Sequence, residues 1–290
     1  MIQPKPLTKN DKVVLIAPAG YVQKEKIENV LAAIKRLGLV PVLGANALNT
    51  QNYLAGSDIE RAKDINNAFL DKEIKGIIAL RGGYGSMRIL DMLDYQMIKN
   101  NPKIFVGYSD ITAIHLAINK KCDLVTYHGP MACVELINPK IDQYTKAYFN
   151  HYIFGKNNAF FYAKKFMSIK TLTTGNFKGT LIGGNLTTVV ATLGTKYEID
   201  TYNKVLFLEE INECTYKIDR LITQLKLSGK LSNLKAVILG HFTNCTKNND
   251  ELLDIFKEAF ENIPCIYNMP SGHSLPNITL PIGGTIIWKK

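Results

Sequence analysis

Three residue types suited to nucleophilic catalysis stand where the chain leaves regular structure. Ser109 sits in "GYSD", between the apolar run "KIFV" and the helically spaced "ITAIHLAI". A serine on a strand-to-helix corner is exposed on a tight turn. It also has the next backbone N–H aimed at the site and meets the positive end of the helix. The stretch departs from G-x-S-x-G at Ile111, and by itself it is read more simply as a helix start with Ser109 or Asp110 as N-cap. A serine nucleophile needs a base, and the base needs an acceptor that orients it. Among five histidines, His115 falls mid-helix and His151 close to a linker, while His128 and His241 follow apolar runs and suit either a pocket wall or a buried structural ring. His273 lies in "SGHSLPNITLPIG", among Gly, Ser and Pro, where a packing role is least natural, so it is the best candidate base. The run "VLFLEE" ends on Glu209 and Glu210, and side-chain alternation along a strand turns only one of them to a given face.

A second loop, "RGGYG" from Arg81 to Gly85, permits close backbone approach, and its N–H groups suit an oxyanion hole; a plain tight turn is the simpler alternative. It is neither a phosphate-binding P-loop nor G-x-G-x-x-G, and no H-E-x-x-H occurs, so neither a cofactor nor a metal is expected.

These residues need elements to position them. "KVVLIAP", "LVPVLG", "IKGIIAL" and "KIFVGY" read as strands. Ile27, Val30, Leu31 and Ile34 mark one helix, and "SDIERAKDINNAF" opens another at the cap Ser57. Repeated βα units imply a parallel sheet with helices on both faces, whose ligands bind at the carboxyl ends of the strands; "RGGYG" and "GYSD" both lie there. Past about residue 150 the composition becomes β-rich, with "VLFLEE" and "KAVILGHF" as buried strands around a helix marked by Ile218, Leu221, Ile222 and Leu225. The expectation is an α/β protein with an N-terminal Rossmann- or flavodoxin-like parallel-sheet domain over 1–155, a linker over 156–172 and a smaller β-rich α/β domain over 173–290.

Bulk properties narrow the function. A chain of 290 residues can bury two sizeable cores. Its apolar runs are too short to span a membrane, and the first 20 residues read as a first strand rather than a secretion signal, which predicts a cytoplasmic protein. Five cysteines without a C-x-x-C pair fit reduced thiols. The net charge of +10 comes from scattered lysines, so neither nucleic acid nor membrane is expected as a partner, although a basic surface attracts a small anionic substrate.

Taken together, the motifs resemble the LD-carboxypeptidases, the muramoyl-tetrapeptide carboxypeptidase group of serine peptidases that also includes the microcin C immunity proteins. "KVVLIAPAG", "YLAGSDIERAKDINNAF", "IIALRGGYGSMRILDMLDY", "FVGYSDITAIHLAI", "YHGPM", "GTLIGGNLTTVVATLGT", "LFLEEINECTYKIDRLITQL" and "SGHSLPNITLPIG" occur in the family's order. The resemblance implies a catalytic set of Ser109, Glu209 and His273, with Glu209 preferred to Glu210, and oxyanion donors in the backbone N–H groups of Gly83 and Asp110. It further implies hydrolysis of the L,D amide before the terminal D-alanine of a cytoplasmic murein tetrapeptide, a step of peptidoglycan recycling. Arg81 and Arg88 are candidate cations for the terminal carboxylate. Two alternatives are an immunity-type hydrolase of aminoacyl or peptidyl nucleotides and a catalytically silent binding module; a homodimer is left open.

Overall fold

The computed structural model describes residues 1–155, 169–246 and 249–289. The first sheet contains the parallel strands β1 (Lys12–Ile16), β2 (Val40–Leu43), β3 (Ile74–Ala79), β4 (Ile104–Gly107) and β5 (Thr126–His128), in the order β2-β1-β3-β4-β5. Helices α1 (Ile27–Arg36), α2 (Asp58–Leu70), α3 (Tyr95–Asn100), α4 (Thr112–Cys122) and α5 (Gln143–Ile153) connect or follow them. Residues of β1 alternate between two cores. Val14 and Ile16 pack with Phe69 of α2 and Ile114 of α4, whereas Val13 and Leu15 pack with Val30 of α1 and Phe149 of α5. Both faces of the sheet are thus covered, as continuous apolar strands require. The cap expected for α2 is present as a full box: the Ser57 side chain accepts from the Glu60 N–H, and the Glu60 carboxylate accepts from the Ser57 N–H.

The second sheet is built from β6 (Lys170–Thr173), β7 (Phe177–Asn185), β8 (Val205–Ile211), β9 (Ala236–Thr243), β10 (Cys265–Tyr267) and β12 (Thr285–Trp288), in the order β12-β7-β8-β9-β10-β6. Its four inner strands are parallel and the two edges antiparallel. Helices α6 (Leu186–Ala191), α7 (Thr215–Leu227) and α8 (Asn249–Ala259) accompany it. Most of the expected linker, residues 156–168, lies outside the described residues, and Lys170 already opens β6.

Two features join the sheets. Strand β11 (Leu280–Ile282) follows β10 in the chain, yet pairs antiparallel with β5 at the edge of the first sheet. Its Leu280 and Ile282 share a core with Phe207 of β8. On the other side, Leu116 of α4 packs into the core of the second sheet with Ile182 and Leu206, and the Thr112 hydroxyl accepts a 3.0 Å hydrogen bond from the Asn185 N–H. The helix that follows Ser109 is therefore docked on β7, beside β8 and its two glutamates.

Candidate active site

The corner expected at Ser109 is real and tight. Strand β4 ends at Gly107, Tyr108 remains extended, and Ser109 takes φ 65° before a short 3-10 turn leads into α4. A serine in the left-handed region carries backbone strain of order 1 kcal/mol, which persists where the surroundings fix it. Those surroundings are the "RGGYG" loop. The buried Asp110 carboxylate accepts from the Ser86 N–H at 2.8 Å, tying the end of that loop to the serine corner. Burial pushes the Asp110 carboxyl above its ordinary range, opposed by the hydrogen bonds it accepts. The Gly20 N–H of the β1–α1 loop donates to the Gly82 carbonyl at 3.2 Å, which brings a third loop to the same spot.

His273 occupies the segment between β10 and β11, so its loop runs from one sheet to the other. His241, at the end of β9, supports that loop: its N–H donates to the Ser271 carbonyl and its Nε2 lies 3.1 Å from the Pro276 carbonyl. The Nδ1 of His273 stands 2.7 Å from Oε2 of Glu209. Glu209 is fully buried on β8. Gly272, at φ 123°, lets the loop come this close, because a Cβ there would stand 2.7 Å from the Glu209 carboxylate. Burial raises the Glu209 carboxyl above its ordinary range against the pull of His273. Burial acts to lower the His273 imidazole, but the Glu209 hydrogen bond and the charges of Glu209, Glu210 and Glu135 outweigh it, so the net shift is upward.

The neighbouring Glu210 faces away from His273. Its carboxylate accepts from Asn185 Nδ2 at 2.7 Å and from the N–H groups of Thr187 and Ile211 at 2.8 and 2.9 Å, a structural clamp between β7, α6 and β8.

Ser109, His273, Gly82, Gly83 and Arg81 line one cavity of about 640 Å³. Lys26, Tyr21 and Tyr108 also border it. The Arg81 guanidinium is exposed and donates to the Tyr21 carbonyl at 3.2 Å. Arg88 does not line this cavity; it forms a two-pronged pair with Asp58, with contacts of 2.9–3.1 Å. The remaining histidines have other settings. His115 Nε2 lies 2.8 Å from the Gly107 carbonyl, and burial depresses its pKa to about 4. His128 is buried edge-on against Phe207, and burial keeps it neutral. His151 lies on α5 against Tyr152. Among the described residues no group of three His, Cys, Asp or Glu has the arrangement of a metal site, and no helix is long and apolar enough to cross a membrane.

Sequence reasoning missed Glu135 and Asn277. Both are buried beside the His273 loop and hydrogen-bonded to one another, Asn277 Nδ2 donating to Glu135 Oε1 at 2.8 Å. No local pattern marks Glu135, since "ACVELIN" reads as an ordinary apolar stretch with one acid, and in "SGHSLPNITLPIG" the histidine rather than Asn277 stands out as the reactive group.

A strained serine at the head of a helix thus shares a cavity with the histidine of a glutamate–histidine pair where two α/β sheets meet, the residue types that a serine hydrolase uses. Residues 13–129 match the LD-carboxypeptidase N-terminal domain and residues 178–287 the LD-carboxypeptidase C-terminal domain. The chain belongs to the LD-carboxypeptidase family and is a serine-type carboxypeptidase. It is 37% identical over 287 residues to a probable murein peptide carboxypeptidase of Bacillus subtilis, a match covering 97% of this chain and 89% of the relative. Among solved structures it resembles an MccF-like protein of Bacillus anthracis, with a TM-score of 0.90, 29% identity and coverage of 100% and 97% of the two chains. It also resembles a muramoyltetrapeptide carboxypeptidase of Oxalobacter formigenes, with a TM-score of 0.80, 28% identity and coverage of 94% and 93%.

Proposed function

We propose that the protein removes the terminal D-alanine from murein tetrapeptides, cutting the amide after the L-centre of the third residue, with Ser109, His273 and Glu209 as the catalytic set. The observation that carries this reading is the 2.7 Å His273–Glu209 contact, opening on the same cavity as Ser109. In the reaction, Ser109 Oγ attacks the scissile carbonyl while Nε2 of His273 takes its proton. Glu209 holds Nδ1–H and favours the imidazolium that forms. The developing oxyanion is met by the backbone N–H groups of Gly83 and Asp110. His273 then returns the proton to the departing D-alanine amine, and water repeats the steps on the acyl-enzyme. Arg81 receives the substrate's terminal carboxylate, a role supported by its place in the lining of the cavity, and Lys26, which lines the same cavity, adds positive charge.

The reading assigns the enzyme to cytoplasmic recycling of wall peptides. It is preferred to hydrolysis of aminoacyl nucleotides because the cavity presents cations suited to a free carboxylate, whereas the single tryptophan, Trp288, is stacked on Phe177 in the second sheet. Incubation with tetrapeptide, with the same peptide amidated at its C-terminus and with an aminoacyl sulfamoyl nucleoside separates the readings. Release of D-alanine from the free acid alone supports the proposal, and faster cleavage of the nucleoside overturns it.

A further inference from the structure

Glu135 is hydrogen-bonded to neither Ser109 nor His273, yet it is hydrogen-bonded to the frame of both. It lies in a short π-helical turn (Ala132–Leu136) after β5 and is nearly fully buried. Its Oε1 accepts from the Tyr108 hydroxyl at 2.8 Å and from Asn277 Nδ2 at 2.8 Å, and its Oε2 accepts from the Met131 N–H at 3.0 Å. Tyr108 is the residue immediately before Ser109. Its ring also meets the His273 imidazole edge-on, with centroids 4.9 Å apart. Asn277 belongs to the same loop as His273, and its Oδ1 accepts at 3.1 Å from the N–H of Gly272, the residue immediately before His273. Asn277 is itself fixed by its backbone N–H, which donates to the Thr145 hydroxyl at 2.9 Å.

We infer that Glu135 is a positioning residue for the hydrolysis: through Tyr108 on one side and Asn277 on the other, one buried carboxylate sets the separation and angle between Ser109 and His273. The inference rests on the assignment of Ser109 as nucleophile and His273 as base. Its physical basis is that these two residues come from different segments, one leaving the first sheet and one crossing between the sheets, with no hydrogen bond between their side chains to fix their distance. A hydrogen-bonded carboxylate with three donors is a stiffer tie than apolar packing, because moving either partner leaves a buried polar group unpaired.

Glu135 also contributes negative charge near the imidazole. The charged and titratable groups around His273 are Glu209, which binds it, Glu210, which faces away from it on β8 but acts through its charge, Tyr108 from the serine corner, the neutral His128 from β5 and Glu135 itself, with Arg81 and Lys26 lining the shared cavity and Asp142 an adjoining one. Removing the Glu135 charge withdraws one of the influences that favour the imidazolium.

The test compares Glu135→Gln and Tyr108→Phe with the wild type and Ser109→Ala, following D-alanine release from tetrapeptide and the thermal melt of each protein. Tyr108→Phe keeps the ring on His273 and deletes only the hydroxyl. The expected result is that both variants melt as folded proteins and lose kcat by about 10- to 100-fold, the scale of a misplacement near 1 Å, with KM changed far less. In Glu135→Gln the acid limb of kcat/KM should also move to lower pH, which a merely structural residue would not cause. Wild-type kcat and an unmoved acid limb in both folded variants would overturn the inference. If Glu135→Gln does not fold, Tyr108→Phe decides: normal kcat in that variant overturns it. Activity retained in Ser109→Ala would instead overturn the underlying assignment.

Discussion

Gly82 lies directly against Ser109: a Cβ on Gly82 would stand 2.9 Å from the serine Cβ and 3.1 Å from its Oγ. Ser109, the proposed nucleophile, is therefore boxed between its own strained corner and a loop that has to lack a side chain at this point. Gly82 does not itself adopt a positive φ, so alanine there meets a steric obstacle and no backbone penalty. Gly82→Ala should fold normally and lose kcat by about 100-fold, since it displaces the attacking oxygen. Steady-state kinetics beside a circular dichroism melt checks this, and an active Gly82→Ala enzyme would show that the serine tolerates displacement.

The adjacent glutamates should separate function from stability. Glu209→Gln keeps the shape but removes the charge that supports the imidazolium, so activity should fall by orders of magnitude with a modest change in the melt. Glu210→Gln places an amide where three donors converge, at a cost of about 1–3 kcal/mol, so it should melt lower while keeping more activity than Glu209→Gln. Parallel melts and kcat values settle the ranking.

The pH dependence follows from the upward shift of His273. A base acts when neutral, so kcat/KM is fully expressed above the imidazole pKa and is lost as pH falls through it. The acid limb should therefore have its midpoint above about 6.5, the ordinary value for histidine. In Glu209→Gln the residual activity should show that midpoint lowered, because burial then acts with less opposition. A wild-type midpoint at or below the ordinary value would contradict the geometry of the pair.

Much of this architecture is legible in local sequence. Short, continuous apolar runs mark β1 to β4, β8 and β9, period-3.6 faces mark α1 and α7, a capping serine marks α2, and the corner at "GYSD" is visible as a strand that stops where a helix begins. What is hidden depends on contacts between distant residues. "NITLPIG" carries no signal that β11 belongs to the first sheet, because edge pairing with β5 is decided by the core it shares with β8. Periodicity leaves the two glutamates equivalent until β8 is seated with Asn185 on one side and the His273 loop on the other. Glu135 is invisible for the same reason: its partners Tyr108 and Asn277 are 27 and 142 residues away in the chain.

The central claim is that Ser109 performs the attack on the peptide bond before a terminal D-alanine. The most direct measurement is D-alanine released per enzyme from purified murein tetrapeptide, taken for the wild-type protein and for a folded Ser109→Ala variant in the presence of a metal chelator. Multiple turnovers by the wild type, unaffected by the chelator, and no release above background by the variant are the expected result. Release by Ser109→Ala at a rate near the wild type, or no release by the wild type, would contradict it.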